Sequence, residues 1–154
     1  MDQDLSANAT FSKAVLLVED NEDDILVTQR AFNKADKFQG RLFVAVDGEE
    51  ALDFIHNKNT YKNKQDYPRP DIILLDINLP KLNGLEFLEI IKSDPKYNDI
   101  PVVILSSSEN ELDINQSYAS GAASYLAKPV SFKKFMDIVN TFNDYWLLNR
   151  FPKR

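Results

Sequence analysis

The chain has 154 residues, a formal charge of −6, 44% hydrophobic and 27% charged residues, and no cysteine. That length suits one domain with a real core. The lack of cysteine excludes disulfides, thiolate metal sites and cysteine catalysis, and the acidic balance argues against nonspecific nucleic-acid binding, which needs a basic stripe. No apolar run approaches the ~18 residues of a spanning helix, and the start lacks the basic-then-apolar order of a secretory signal. No membrane partner is expected, and the cytoplasm is the expected compartment.

Residues 1–12 are polar and patternless and read as a flexible tail. Five apolar runs follow, AVLLV (14–18), RLFVAV (41–46), DIILLD (71–76), PVVILS (101–106) and ASYLA (123–127), separated by segments of helical period. AVLLV, IILL and VVIL do not alternate, as expected of strands buried on both faces, whereas RLFVAV partly alternates and is expected at an edge. This predicts an α/β fold, a doubly wound parallel sheet of five strands with five helices.

Helix boundaries carry their own signals. Asn21 can cap a helix whose first turn holds Glu22, Asp23 and Asp24. Ser108 and Glu111 have the spacing of a capping box, and Gly121 supplies a stop after Tyr118 and Ala119. The stretch HNKNTYKNKQDYPRP reads as a helix end with His56 exposed on it, then a long surface loop. The last helix, SFKKFMDIVNTFNDYWLLN, sets Phe132, Phe135, Met136, Val139, Phe142 and Trp146 on one face. Its stripe is broader than a core needs, so Tyr145 and Leu148, with Leu147 and Phe151, form a candidate edge for a homodimer or another partner. The domain is expected over 13–149, with a short tail at 150–154.

In open parallel sheets ligands gather beyond the carboxyl ends of the strands, where the winding reverses. The common five-strand order, 2-1-3-4-5, makes the first and third strands neighbours about 4.8 Å apart. Glu19 and Asp20 end the first strand, Asp76 the third and Ser106 with Ser107 the fourth, and the fifth runs into Lys128. Carboxylates from adjacent strands suit a hard divalent cation such as Mg²⁺. A lysine and a hydroxyl opposite suit a phosphoryl group, and Asp76 could be a carboxylate nucleophile that forms an aspartyl phosphate. Taken singly, each feature also has an ordinary structural explanation: a solvated strand end, a turn cap, a surface lysine.

The motifs VEDN, LLDINLPKLNG, ILSSS and YLAKP fall in that order on the expected strands, Ser106 thirty residues after Asp76 and Lys128 twenty-two after Ser106. With them the chain from about Lys13 to Leu148 resembles the receiver domain of two-component response regulators, the CheY-like fold. The loop before the third strand and the YWLLN ending resemble the small regulators paired with phytochrome-type sensor histidine kinases. The resemblance implies that Asp76 accepts the phosphoryl group. It implies that Glu19, Asp20, Asp76 and the backbone carbonyl of Asn78 serve Mg²⁺, Asp20 directly. Ser106 would bond a phosphate oxygen, Lys128 would pair with the acyl phosphate, and Tyr125 would be the aromatic switch that follows Ser106. Its partners would be a sensor histidine kinase or phosphotransfer protein and a downstream protein target. Few residues follow the last helix, so a stand-alone phosphoacceptor rather than an enzyme is expected.

Three rivals fit the same strand pattern less well. An aspartate-nucleophile phosphatase wants a second acid two residues after the nucleophile, where this chain has Asn78. A flavin carrier needs amides and hydroxyls after the first strand, whereas VEDNEDD presents carboxylates that repel a phosphate. A degenerate receiver that only binds partners predicts loss of the acceptor or the lysine, and both are present.

Overall fold

The computed structural model describes residues 13–34 and 40–128 together with 133, 134, 137, 138, 140 and 141. Five strands, β1 (Lys13–Val18), β2 (Gly40–Ala45), β3 (Ile72–Asp76), β4 (Val102–Ser106) and β5 (Ser124–Ala127), form one parallel sheet in the order β2-β1-β3-β4-β5. The partly alternating β2 lies at an edge, as its sequence predicts. Four helices are delimited among the described residues: α1 (Glu22–Lys34), α2 (Gly48–His56), α3 (Gly84–Ser93) and α4 (Glu111–Ala119). Five were expected. The fifth falls where most residues are not described, although Lys133, Lys134, Asp137, Ile138, Asn140 and Thr141 are helical. Tyr145, Leu147, Leu148 and Phe151, the expected dimer edge, lie outside the described residues. No helix among the described residues is long and apolar enough to cross a membrane.

The strands lack alternation because both faces of the sheet are covered. Leu16, Val18, Ile73, Leu75, Val102 and Ile104 pack with Phe54, Phe87, Leu88 and Ile91 of α2 and α3. The intervening residues, Val15, Leu17, Ile72, Leu74, Val103 and Leu105, pack with Ala31 and Phe32 of α1. Successive side chains thus serve opposite cores, as the period of two demands. The sheet therefore holds its strand ends in fixed register, Val18 beside Leu75 and Asp76 beside Leu105.

Three readings of the connections need correction. The segment after α2 is more than a surface loop: Asn57 closes the helix in a left-handed conformation, and its side-chain amide donates to the carbonyls of Tyr61 and Tyr67, each at 2.9 Å. These two bonds set both tyrosines against Phe54, with ring centroids 5.2 and 5.7 Å away. His56 is half-buried, its ring 5.4 Å from that of Tyr97, rather than exposed. At α4 the cap is Asn110, which accepts from the Leu112 amide at 2.8 Å. The expected Ser108–Glu111 box does not form because the Ser108 hydroxyl donates to Asp113 at 2.6 Å instead.

Candidate functional site

The site is built where β1, β3, β4 and β5 end. Each strand brings an apolar run to the rim and hands over to a polar residue: Glu19 after β1, Asp76 at the end of β3, Ser106 at the end of β4, Lys128 after β5. Glu19, Asp76 and Ser106 are buried, with Glu19 only 1% exposed, while Asp20 faces solvent. Glu19 therefore lies under the rim rather than pointing out of it. Its amide keeps the strand's line by donating to the Ala45 carbonyl of β2 at 2.9 Å.

Lys128 is the centre of charge. Its Nζ donates to Glu19 Oε1 at 2.5 Å, Asp24 Oδ2 at 2.9 Å and Asp76 Oδ2 at 3.2 Å. An ammonium has three N–H donors, and each carboxylate is within reach of one. Burial works to lower the Lys128 pKa, but the hydrogen bonds to Glu19 and Asp24 and the nearby Asp76 charge outweigh it and hold the group above its ordinary value. Glu19 moves the other way for a carboxylate that has a cation beside it. Burial, with the Asp76 carboxylate beside it, pushes its carboxyl up to about 7, and Lys128 only partly offsets this. Four acids near one lysine leave the site short of positive charge, which is the electrostatic setting for a second cation.

The donor set fits one. Carboxylate oxygens of Glu19, Asp20 and Asp76 all lie within 4.8 Å of one another. Two are buried and one is exposed, so a hydrated ion can approach from the solvent side while the buried pair supplies fixed charge. Mg²⁺ takes one or two carboxylates and keeps several waters, which suits this half-open group.

Asp76 is further fixed from behind. Its Oδ1 accepts from the Asn78 amide at 3.0 Å, so Oδ2 is the oxygen shared with Lys128. The loop after it is pressed by the start of α3, where Asn83 and Glu86 form a reciprocal capping box and the Gly84 amide donates to the Ile77 carbonyl at 2.9 Å. A Cβ on Gly84 would stand 2.4 Å from the Asp76 carbonyl oxygen, so only glycine permits this approach.

Ser106 Oγ accepts from the Ser108 amide at 3.1 Å, and Tyr125, half-buried on β5, donates its hydroxyl to the Ser108 carbonyl at 2.7 Å. The structure thus gathers Glu19, Asp20, Asp76 and Lys128 at one rim, with the Asn78 amide bonded to Asp76 itself. Ser106 and Tyr125 are joined through Ser108. The residue that sequence reasoning missed is Asp24, taken as a helix-start acid. The signal was present: Asp24, Thr28, Ala31 and Phe32 recur at helical spacing, and the last three are buried. That phase carries Asp24 on the inward face of α1.

Residues 15–140 match the response regulator receiver domain family. The response regulator Rcp1 of Synechocystis sp. is 38% identical over 143 residues, covering 93% of this chain and 95% of that protein. A probable methanogenesis regulatory protein of Methanothrix harundinacea, FilR2, is 37% identical over 139 residues, 90% of this chain and 86% of its own. Among solved structures, the phosphorylated cyanobacterial phytochrome response regulator RcpA is 39% identical with a TM-score of 0.76, over 89% of this chain and 95% of that one. The Mn²⁺-bound form of Rcp1 superposes with a TM-score of 0.75 at 34% identity, over 92% and 99%. With its strand order, acidic rim and lysine accounted for, the chain belongs to the response regulator receiver domains of two-component systems.

Proposed function

We propose that this receiver, spanning residues 13–149, takes a phosphoryl group from a histidine kinase or phosphotransfer protein onto Asp76 and signals by changing its protein contacts. The observation that carries this reading is the Lys128 ammonium 3.2 Å from Asp76 Oδ2, among carboxylates from two other parts of the chain. An Asp76 oxygen attacks phosphorus, the bond from phosphorus to the donor breaks, and its electron pair stays with the donor. A loose transition state asks the protein mainly for positioning and charge compensation. Lys128 supplies both, since one of its N–H groups already points at Asp76 Oδ2. Asp20, Asp76, Glu19 and the Asn78 carbonyl would hold Mg²⁺, which would supply charge to offset what remains on the phosphoryl oxygens.

Support also comes from relatives described as phosphorylated and as binding a divalent metal. The description of RcpA as a phytochrome response regulator supports a phytochrome-type sensor kinase as the donor. Once Asp76 is modified, Ser106 turns its hydroxyl to a phosphoryl oxygen and drops the Ser108 amide, which passes the change toward Tyr125 and α4. The test is labelling with isotopically marked acetyl phosphate and Mg²⁺. A base-labile mark on the wild type, absent from Asp76→Asn, is expected; a mark that persists in that variant places the acceptor elsewhere.

A further inference from the structure

We propose that Asp24 is a positioning residue for this transfer: it moors the Lys128 ammonium beside Asp76 when a divalent cation takes the oxygens of Glu19, Asp20 and Asp76. The inference rests on the reading of Asp76 as phosphoacceptor. Its basis is a division of labour among the carboxylates around Lys128. Glu19 and Asp76 belong both to the lysine's partners and to the acids that can share a cation; Asp24 belongs only to the first set. A divalent cation on the shared oxygens competes with the ammonium for them and repels it. Without another anchor the lysine, on a flexible four-carbon stem, would swing toward solvent.

Asp24 is built to be that anchor. Its backbone is held within α1 by bonds that do not involve Lys128. Its amide donates to Asn21 Oδ1 at 2.9 Å, and its carbonyl accepts from the Thr28 hydroxyl at 2.9 Å. Thr28 is itself buried on the face that packs through Ala31 and Phe32. The Asp24 side chain is 43% exposed. An ion pair so open to water contributes little to stability, so its consequence lies in where it holds the ammonium. The contact also links distant parts of the sequence, joining the first turn of α1 to the end of β5.

The test measures the labelling rate at Asp76 in the full-length chain, with acetyl phosphate at saturating Mg²⁺ so that altered metal affinity does not enter. Four proteins are compared: wild type, Asp24→Asn, Lys128→Ala and the double variant. Asn is a good residue at the start of a helix, and circular dichroism checks that the fold is kept. Asp24→Asn is expected to slow the saturated rate about tenfold, within the roughly hundredfold that a misplacement of about 1 Å can cost, and to change nothing further in the Lys128→Ala background. A role through charge alone gives the opposite sign, because removing an anion eases the approach of an anionic donor. A wild-type or faster rate in Asp24→Asn, or an equal slowing with and without Lys128, overturns the positioning role while Asp76 stands. No labelling of the wild type overturns both.

Discussion

The Tyr125 hydroxyl donates to the Ser108 carbonyl at 2.7 Å, while the Ser108 amide donates to Ser106 Oγ at 3.1 Å. One peptide-length segment therefore ties the Ser106 hydroxyl at the end of β4 to the aromatic ring on β5. Its side chain adds a third tie, to Asp113 in the first turn of α4. Any movement of Ser106 is felt at Ser108, and from there at both β5 and α4. This gives a physical path between Ser106 at the strand-end rim and the surface around α4, through discrete hydrogen bonds that are either made or broken.

Removing the Tyr125 hydroxyl should loosen that path without touching the acceptor. Tyr125→Phe leaves the ring packed against the core and deletes one hydrogen bond worth about 1 kcal/mol. The expected result is amide exchange about fivefold faster in residues 107–110, since 1.4 kcal/mol is tenfold, with labelling of Asp76 close to wild type. Hydrogen exchange read by mass spectrometry checks this. Unchanged protection at Ser108 would mean that the tyrosine does not restrain the segment.

Lys128 is the only cation among the described residues bonded to this acidic rim, and its loss should be costly. Lys128→Ala leaves Glu19 buried with Asp76 beside it and no ammonium to compensate. Breaking a buried pair from one side destabilises by about 3 kcal/mol. Denaturant titration in a chelator should show a fall of that order. Millimolar Mg²⁺ should then recover more stability in the variant than in wild type, because the metal no longer competes with an ammonium for the same oxygens. Equal responses to Mg²⁺ in the two proteins would place the ion away from Glu19, Asp20 and Asp76.

Much of this was legible before the structure, for a simple reason. Strands buried on both faces are unbroken apolar runs, so AVLLV, IILL and VVIL marked their own ends, and a parallel sheet brings those ends to one rim. Glu19, Asp76, Ser106 and Lys128 were thus placed by where hydrophobicity stops. Asp24 was hidden because an acid in a first helical turn already has a local explanation, and only the phase of Thr28, Ala31 and Phe32 distinguishes inward from outward. The α4 cap failed for a related reason: Ser108 had the right spacing, but Asp113 had claimed its hydroxyl, Ser106 its amide and Tyr125 of β5 its carbonyl. The segment between α2 and β3 looked like a polar loop since its order comes from Asn57 and two tyrosines spread over ten residues, a pattern with no period.

Gly84 offers the most direct way to disturb the acceptor without altering any charged group. A methyl at this position would meet the Asp76 carbonyl oxygen at 2.4 Å and the Ile77 Cα at 2.6 Å, both backbone atoms that cannot rotate away. Either α3 withdraws or the segment from Asp76 to Asn78 shifts. Because Asn83 and Glu86 cap α3 reciprocally, and Phe87, Leu88 and Ile91 anchor it in the core, the acceptor segment is the softer of the two. Gly84→Ala should therefore destabilise by about 1–3 kcal/mol, the usual range for overpacking. It should also weaken the bond from the Asn78 amide to Asp76 Oδ1 and slow labelling by acetyl phosphate more than the loss of folded protein explains. Thermal unfolding and labelling measured on the same samples separate the two effects. A variant that unfolds earlier but labels at the wild-type rate per folded molecule would mean that α3 gives way and the acceptor stays in place.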